Sequence, residues 1–216
     1  MACRHCGEAL TPGANFCAAC GAPAATKEAA PQPGATGNAR KTISILFADL
    51  VGSTGLQERL DPESTRRFME MYYAVAKRAV EQHGGRVTQF LGDGVLAMFG
   101  LPQVAEDDAM RAVSGGIAMQ EGFQALAEQQ RELVGSTGLR VAINTGEVVV
   151  KGDTDVIGDP VNVAFRLQDQ AQTGDVVISG ETRRLVVDQV TLELIGSIGL
   201  RGRSKEVKAY RVACLE

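Results

Sequence analysis

The sequence predicts a mixed α/β domain preceded by a small zinc ribbon, and three observations carry that reading. Four of the five cysteines fall in the first twenty residues as two Cys-x-x-Cys pairs. From about residue 41 onward, short runs rich in Val, Ile and Phe alternate with longer stretches whose apolar residues recur every three or four positions, the strand and helix periods respectively. Two of the strand-like runs abut a carboxylate near glycine, Ile43 to Phe47 before Asp49 and Phe90-Leu91-Gly92 before Asp93.

The cysteines are Cys3, Cys6, Cys17 and Cys20, with ten residues between the pairs and a glycine, Gly7 or Gly21, after each. Glycine lets the chain turn tightly enough for successive thiolates to point at one centre. Disulfides are the rival, but there is no secretory leader pattern and only Cys214 remains elsewhere. Residues 1–21 are therefore expected to hold one structural Zn²⁺, its four positions filled by sulfur and none open to substrate. So short a segment folds on the metal. His5 is a bystander, and a protein partner of the ribbon is left open. Residues 22–40, mostly Ala, Pro, Gly, Thr and Gln, are expected to be a flexible linker, with the globular domain spanning 41–216.

A chain of 216 residues holds ample apolar content for a packed core. Its net charge of −4 offers no basic field for nucleic acid. No apolar run is long enough to span a membrane, and the expected compartment is the cytoplasm.

The first strand, Thr42 to Val51, is followed by Gly52-Ser53-Thr54, where backbone N–H groups can approach an anion such as a polyphosphate. Asp61-Pro62 is a helix cap followed by proline at the first helical position. Phe68, Met71, Tyr72, Val75 and Ala79 then mark a core helix ending at His83-Gly84-Gly85. Arg86 to Leu91 and Val95 to Phe99 read as two strands joined at Gly92-Asp93-Gly94, which holds Asp93 at a tip. Two carboxylates at neighbouring strand ends suit a pair of divalent cations, although Asp before Gly also opens ordinary turns.

A second helix is expected between about Val104 and Leu133, weakened at Gly115-Gly116. Leu139 to Lys151 reads as a strand, bent or bulged at Gly146. Asp159-Pro160 repeats the cap-and-proline signal and opens a helix running to about Gln172. On it Pro160, Ala164, Leu167 and Ala171 face the core, while Asn162 and Arg166 share the opposite face. A solvated face would do the same. Val161 and Phe165 add an apolar edge that suits a partner surface. A strand at Asp175 to Ser179, a short helix from Glu181 to Asp188 and two strands near Val190–Ile198 and Val207–Val212 complete the chain. The segment Leu200 to Lys205 between the last two is the one basic cluster.

Three segments in this order resemble the class III nucleotidyl cyclase catalytic domain, over about Lys41 to Val212. They are Leu46-Phe47-Ala48-Asp49-Leu50-Val51-Gly52-Ser53-Thr54, Leu91-Gly92-Asp93-Gly94 with Phe99-Gly100-Leu101-Pro102 after it, and Gly158-Asp159-Pro160-Val161-Asn162-Val163-Ala164-Phe165-Arg166. An N-terminal zinc ribbon joined to such a domain is similar to bacterial members. The resemblance implies an α/β sandwich related to the ferredoxin-like and polymerase-palm arrangement, with the active site between two copies of the chain. It implies an adenylyl cyclase, making cyclic AMP and pyrophosphate from ATP. Asp49, Asp93 and the Leu50 carbonyl would hold two Mg²⁺ or Mn²⁺ ions, and Gly52, Ser53 and Thr54 would lie at the phosphates. Asn162 would orient the ribose and Arg166 would meet the α-phosphate, both from the second copy; Arg201 falls near the family's basic residue for the terminal phosphates.

The family's adenine-selecting positions fall here on Gln89 and Asp155. Asp155 would accept from the adenine amino group, whereas Gln89 stands where a lysine is usual and can offer either a donor or an acceptor. ATP is the favoured substrate, with relaxed ATP/GTP selectivity. The rival expectations are a nucleotide-binding regulatory module of little turnover and a zinc-ribbon adaptor that docks or dimerises. The absence of a Gly-Gly-Asp/Glu-Glu-Phe turn argues against a diguanylate cyclase.

Overall fold

The structure is a computed structural model and describes residues 39–151, 155–199 and 206–215. The four candidate zinc cysteines, most of the expected linker and Arg201 lie outside the described residues. In chain order the elements are β1 (Ala39–Val51), α1 (Ser53–Arg59), α2 (Pro62–Gln82), β2 (Arg86–Leu91), β3 (Gly94–Phe99), α3 (Asp108–Gln129), α4 (Arg131–Val134) and β4 (Gly138–Lys151). There follow β5 (Asp155–Ile157), α5 (Asp159–Leu167) with a 3-10 turn at Gln168–Gln170, β6 (Val176–Ser179), α6 (Gly180–Val186), β7 (Val190–Ile198) and β8 (Val207–Leu215). Ala39 and Arg40, assigned by composition to the end of the linker, are strand.

One sheet runs in the order β2-β3-β1-β4-β6-β8-β7, with β5 paired to β4 outside that path. Its pairs are antiparallel except β4 with β6. Up to β4 the chain reads β-α-β-β-α-β with β4-β1-β3-β2 side by side, the ferredoxin-like arrangement implied above.

Strand alternation decides where the chemistry points. Leu46, Ala48 and Leu50 of β1 join Phe68, Tyr72 and Ala76 of α2 and Val113 and Met119 of α3 in the larger core. Ile43, Ile45 and Phe47 face the other way, onto Leu96, Met98, Val148, Val150 and Ala164 of α5. Asp49, two residues beyond Phe47, shares that second face.

Helix α2 starts where expected because the Asp61 carboxylate accepts from the Ser64 N–H at 2.9 Å and the Ser64 hydroxyl at 2.7 Å. Helix α3 continues unbroken through Gly115 and Gly116. A Cβ there would lie 3.0 Å from the Phe99 ring and 3.2 Å from Ile143, so these glycines let the helix press onto the sheet. Gly146 corrects an expectation in the same way. It pairs in register with Ile43 inside a continuous β4, and a Cβ on it would meet Pro160 at 2.6 Å. It admits the first turn of α5 rather than a bulge. Helix α1 and the three-residue β5 are elements the patterning does not predict.

Candidate active site

Asp49 lies opposite Arg140 across the β1–β4 ladder. The guanidinium donates to its Oδ2 from Nη2 at 2.9 Å and from Nε at 3.3 Å. The Gln168 amide, from the turn after α5, donates to the same oxygen at 3.2 Å. Burial raises the Asp49 carboxyl above its ordinary pKa; the hydrogen bond from Arg140 opposes this, and the charge of Asp93 adds to it.

Strand register brings the second carboxylate to the same end of the sheet. Ala48 pairs with Val95 between β1 and β3, so continuing the register carries the end of β1 to the turn holding Asp93. Ser53 donates its hydroxyl to Asp93 Oδ2 from the start of α1, and the Tyr73 hydroxyl donates to the Gly92 carbonyl one residue before Asp93. Leu50 has its side chain buried in the helix-side core, so only its backbone is available to the site. Gly52 takes the left-handed conformation, φ 83°, that turns β1 into α1, and Thr54 is exposed.

Gln89 reaches the same face through a bulge. Val87 pairs with Ala97, yet Gln89 pairs with Leu96, so an extra residue at Thr88 reverses the alternation. Without it Gln89 would share the α2 and α3 face of Val87; with it Gln89 shares the face of Leu96 on which α5 packs, on the side of Asp49. Asp155 pairs through its backbone with Lys151 in the β4–β5 hairpin.

Helix α5 is anchored by buried Pro160, Val163, Ala164 and Leu167. The Asn144 amide donates to the Pro160 carbonyl at 2.9 Å. Asn162 and Arg166 are exposed on the outer side, with no hydrogen-bond or ion-pair partner among the described residues. Phe165 is 50 % exposed and packs edge-on against Phe47, ring centres 5.0 Å apart.

Among the described residues no three His, Cys, Asp or Glu side chains gather into a closed metal cage. The two carboxylates suit instead a hard cation of the Mg²⁺ type, which takes one or two carboxylates and completes its shell with water and substrate phosphates. The Tyr72 hydroxyl lies on the other, helix-side face, buried with no hydrogen-bond partner among the described residues; its pKa is raised well above the usual phenol value by burial first and then by Asp49 and Asp93. The structure thus brings together Asp49, Asp93 and Ser53, adds Arg140 and Gln168, and leaves Asn162 and Arg166 facing outward. A groove of about 640 Å³ lined by Gln120, Phe123, Leu139 and Val176 contains none of these residues. No helix among the described residues is long and apolar enough to cross a membrane.

Comparison with known proteins bears on what this arrangement is. The family described as the adenylate and guanylate cyclase catalytic domain matches residues 36–213, and a zinc-ribbon domain matches residues 3–24. An adenylate cyclase of Anabaena cylindrica is 29% identical over 191 residues, covering 80% of this chain. An adenylate cyclase of Mycobacterium bovis (strain ATCC BAA-935 / AF2122/97) is 30% identical over 167 residues, 74% of this chain. The chain spans 37% of the length of each. Among solved structures, the adenylyl cyclase CyaB from P. aeruginosa superposes with TM-score 0.77 at 32% identity, over 82% of this chain and 96% of the other. The guanylyl cyclase Cya2 gives 0.75 at 31%, over 84% and 96%.

Proposed function

Because the chain belongs to the adenylate and guanylate cyclase catalytic domain family, we propose that it converts ATP into cyclic AMP and pyrophosphate at a site built by two copies of itself. The observation that carries this reading is the placement of Asp49 and Asp93 at neighbouring strand ends, on a chain whose Asn162 and Arg166 face outward. One copy supplies the metal half and its twin the Asn/Arg half. An isologous dimer then has two equivalent sites.

Asp49, Asp93 and the Leu50 carbonyl would hold two Mg²⁺ or Mn²⁺ ions, which would supply acidification of the ribose 3′-hydroxyl and neutralisation of the leaving pyrophosphate. Ser53 holds the Asp93 carboxylate in place. Arg140, already at Asp49, would also be available to phosphate oxygens, together with Gly52 and Thr54 after β1. Asn162 orients the ribose, and Arg166 neutralises the charge that builds on the α-phosphate oxygens. Arg201 is assigned to the terminal phosphates. Cys3, Cys6, Cys17 and Cys20 take one structural Zn²⁺.

Twin association is supported by exposed apolar side chains on and around α5 and the β2–β3 turn: Phe90, Leu91, Ile157 and Phe165. Purine choice rests on Gln89 and Asp155, since an adenylyl and a guanylyl cyclase resemble the chain about equally. Asp155 favours adenine, whose amino group it can accept from, whereas the guanine oxygen would meet it lone pair against lone pair. Gln89 lacks the fixed positive charge of lysine, which relaxes selectivity and motivates the second reading, a nucleotide-binding regulatory module with little turnover.

The deciding experiment incubates the purified protein with Mn²⁺ or Mg²⁺ and either ATP or GTP, beside Asp49→Ala. Cyclic AMP from the wild type and none from the variant supports the enzyme. Nucleotide binding without turnover supports the module.

A further inference from the structure

We infer that Gln168 is a positioning residue of this site, its amide orienting Asp49 as a metal ligand within the same chain. The inference rests on reading Asp49 as that ligand.

Gln168 is only 3 % exposed, and its amide Nε2 reaches Asp49 Oδ2 at 3.2 Å. Its backbone is held from both sides. The Gln168 N–H bonds to the Ala164 carbonyl at the end of α5, and its neighbour Leu167 is buried with Ala171 against Ala142, Val177, Ile198 and Ala209. A side chain rooted so firmly can fix the rotation of the carboxylate it touches.

The pattern of donors says how. Among the described residues, every N–H that reaches this carboxylate converges on Oδ2: two from Arg140 and one from Gln168. The arrangement loads one oxygen and leaves Oδ1 for a cation. The two donors are not equivalent. Arg140 is a cation and opposes a metal ion at the same carboxylate, whereas a neutral amide donates without repelling one and keeps its bond when the metal arrives. A glutamate in its place would lose the donor and add a third negative charge beside Asp93 and Asp169, both of which already act on Asp49. Glutamine therefore supplies orientation at no electrostatic cost to cation binding.

Gln168 also follows α5, which carries Arg166, so a purely structural role is the alternative to be separated. Gln168→Met keeps the length and removes the donor; Gln168→Asn keeps the amide but withdraws it by one methylene. Mn²⁺ binding to the nucleotide-free dimer is read from the electron paramagnetic resonance signal of free Mn²⁺. Removing a partner that orients a metal ligand is expected to weaken binding roughly tenfold in both variants, with the melting temperature of the metal-free protein recorded as the fold control. Unchanged Mn²⁺ affinity in a folded variant overturns the inference. If Asp49→Ala also leaves Mn²⁺ binding unchanged, it is the metal reading of Asp49 that fails.

A heterodimer with one competent site gives the second measurement. One chain carries Arg166→Ala and retains Asp49, and the other carries Asp49→Ala and retains Arg166. Gln168→Met is then placed on either chain, and the Mn²⁺ dependence of turnover is measured. The rise in Mn²⁺ requirement is expected to follow the chain that retains Asp49. A rise that follows the chain retaining Arg166, or an equal rise with either placement, means that Gln168 acts through α5 and overturns the inference.

Discussion

Replacing Arg140 by methionine removes the cation that faces Asp49 while keeping an unbranched apolar stem. The two side chains are 27% and 18% exposed, so their pairing is only partly screened by water. Hydrogen bonds to charged groups contribute about 1.5–3 kcal/mol. Two here converge on one oxygen, and loss of the guanidinium leaves Asp49 facing Asp93 and Asp169 without a counter-charge. Partial exposure of both side chains to water limits the penalty. A loss of about 2 kcal/mol in metal-free protein is expected, a fall in Tm of roughly 4–8 °C for a chain of this size. Added Mn²⁺ replaces the missing positive charge, so the metal-induced rise in Tm should be larger in Arg140→Met than in the wild type, even though turnover falls. Thermal unfolding followed by circular dichroism, in chelator and then with Mn²⁺, measures both quantities. An unchanged metal-free Tm, or an equal Mn²⁺ gain in the two proteins, would refute the placement of Arg140 as the resting counter-ion of Asp49.

Gln89→Lys restores a fixed donor on the α5 face beside Leu96 and should raise the ratio of cyclic AMP to cyclic GMP formed in ATP and GTP assays. Gly146→Ala puts a Cβ 2.6 Å from the Pro160 ring and should cost about 1–3 kcal/mol. Because α5 starts at that contact, kcat should fall while Mn²⁺ affinity holds. Asp61 caps α2, and the hydrogen bonds from the Ser64 hydroxyl and N–H hold its carboxyl below the ordinary value of 3.8. A carboxylate with a depressed folded pKa stabilises the protein above 3.8, and that stabilisation is lost as pH falls through the folded value. The Tm difference between wild type and Asp61→Ala should therefore be full at neutral pH and close in strong acid.

The sequence carries the main elements because their signals are local. Asp61-Pro62 marks the start of α2 and Gly92-Asp93-Gly94 the hairpin; Pro160 marks the start of α5, although Gly158 takes the cap position expected of Asp159, which is the first helical residue. Asp49 and Asp93 are legible as candidates because each sits where an apolar run meets a turn. Their partners are not, since Arg140 and Gln168 lie 91 and 119 residues from Asp49 and meet it only through strand register and the docking of α5. Arg140 alone is an unremarkable polar position on a strand. The bulge that turns Gln89 to the α5 face adds one residue to β2 and has no compositional mark. Helix α1 contains Gly55 and shows no apolar stripe, so Gly52-Ser53-Thr54 reads as a loop. Gly146 shows a general ambiguity: a glycine in a strand can bend it or admit a neighbour, and only the position of Pro160 tells which.

The claim on which the account turns is that one active site is assembled from two chains. Asp49→Ala and Arg166→Ala should each be inactive alone. Mixed in equal amounts under conditions of subunit exchange, they should form heterodimers with one intact site and recover about a quarter of wild-type cyclic AMP production. No recovery despite exchange verified with differently tagged chains would contradict a shared site.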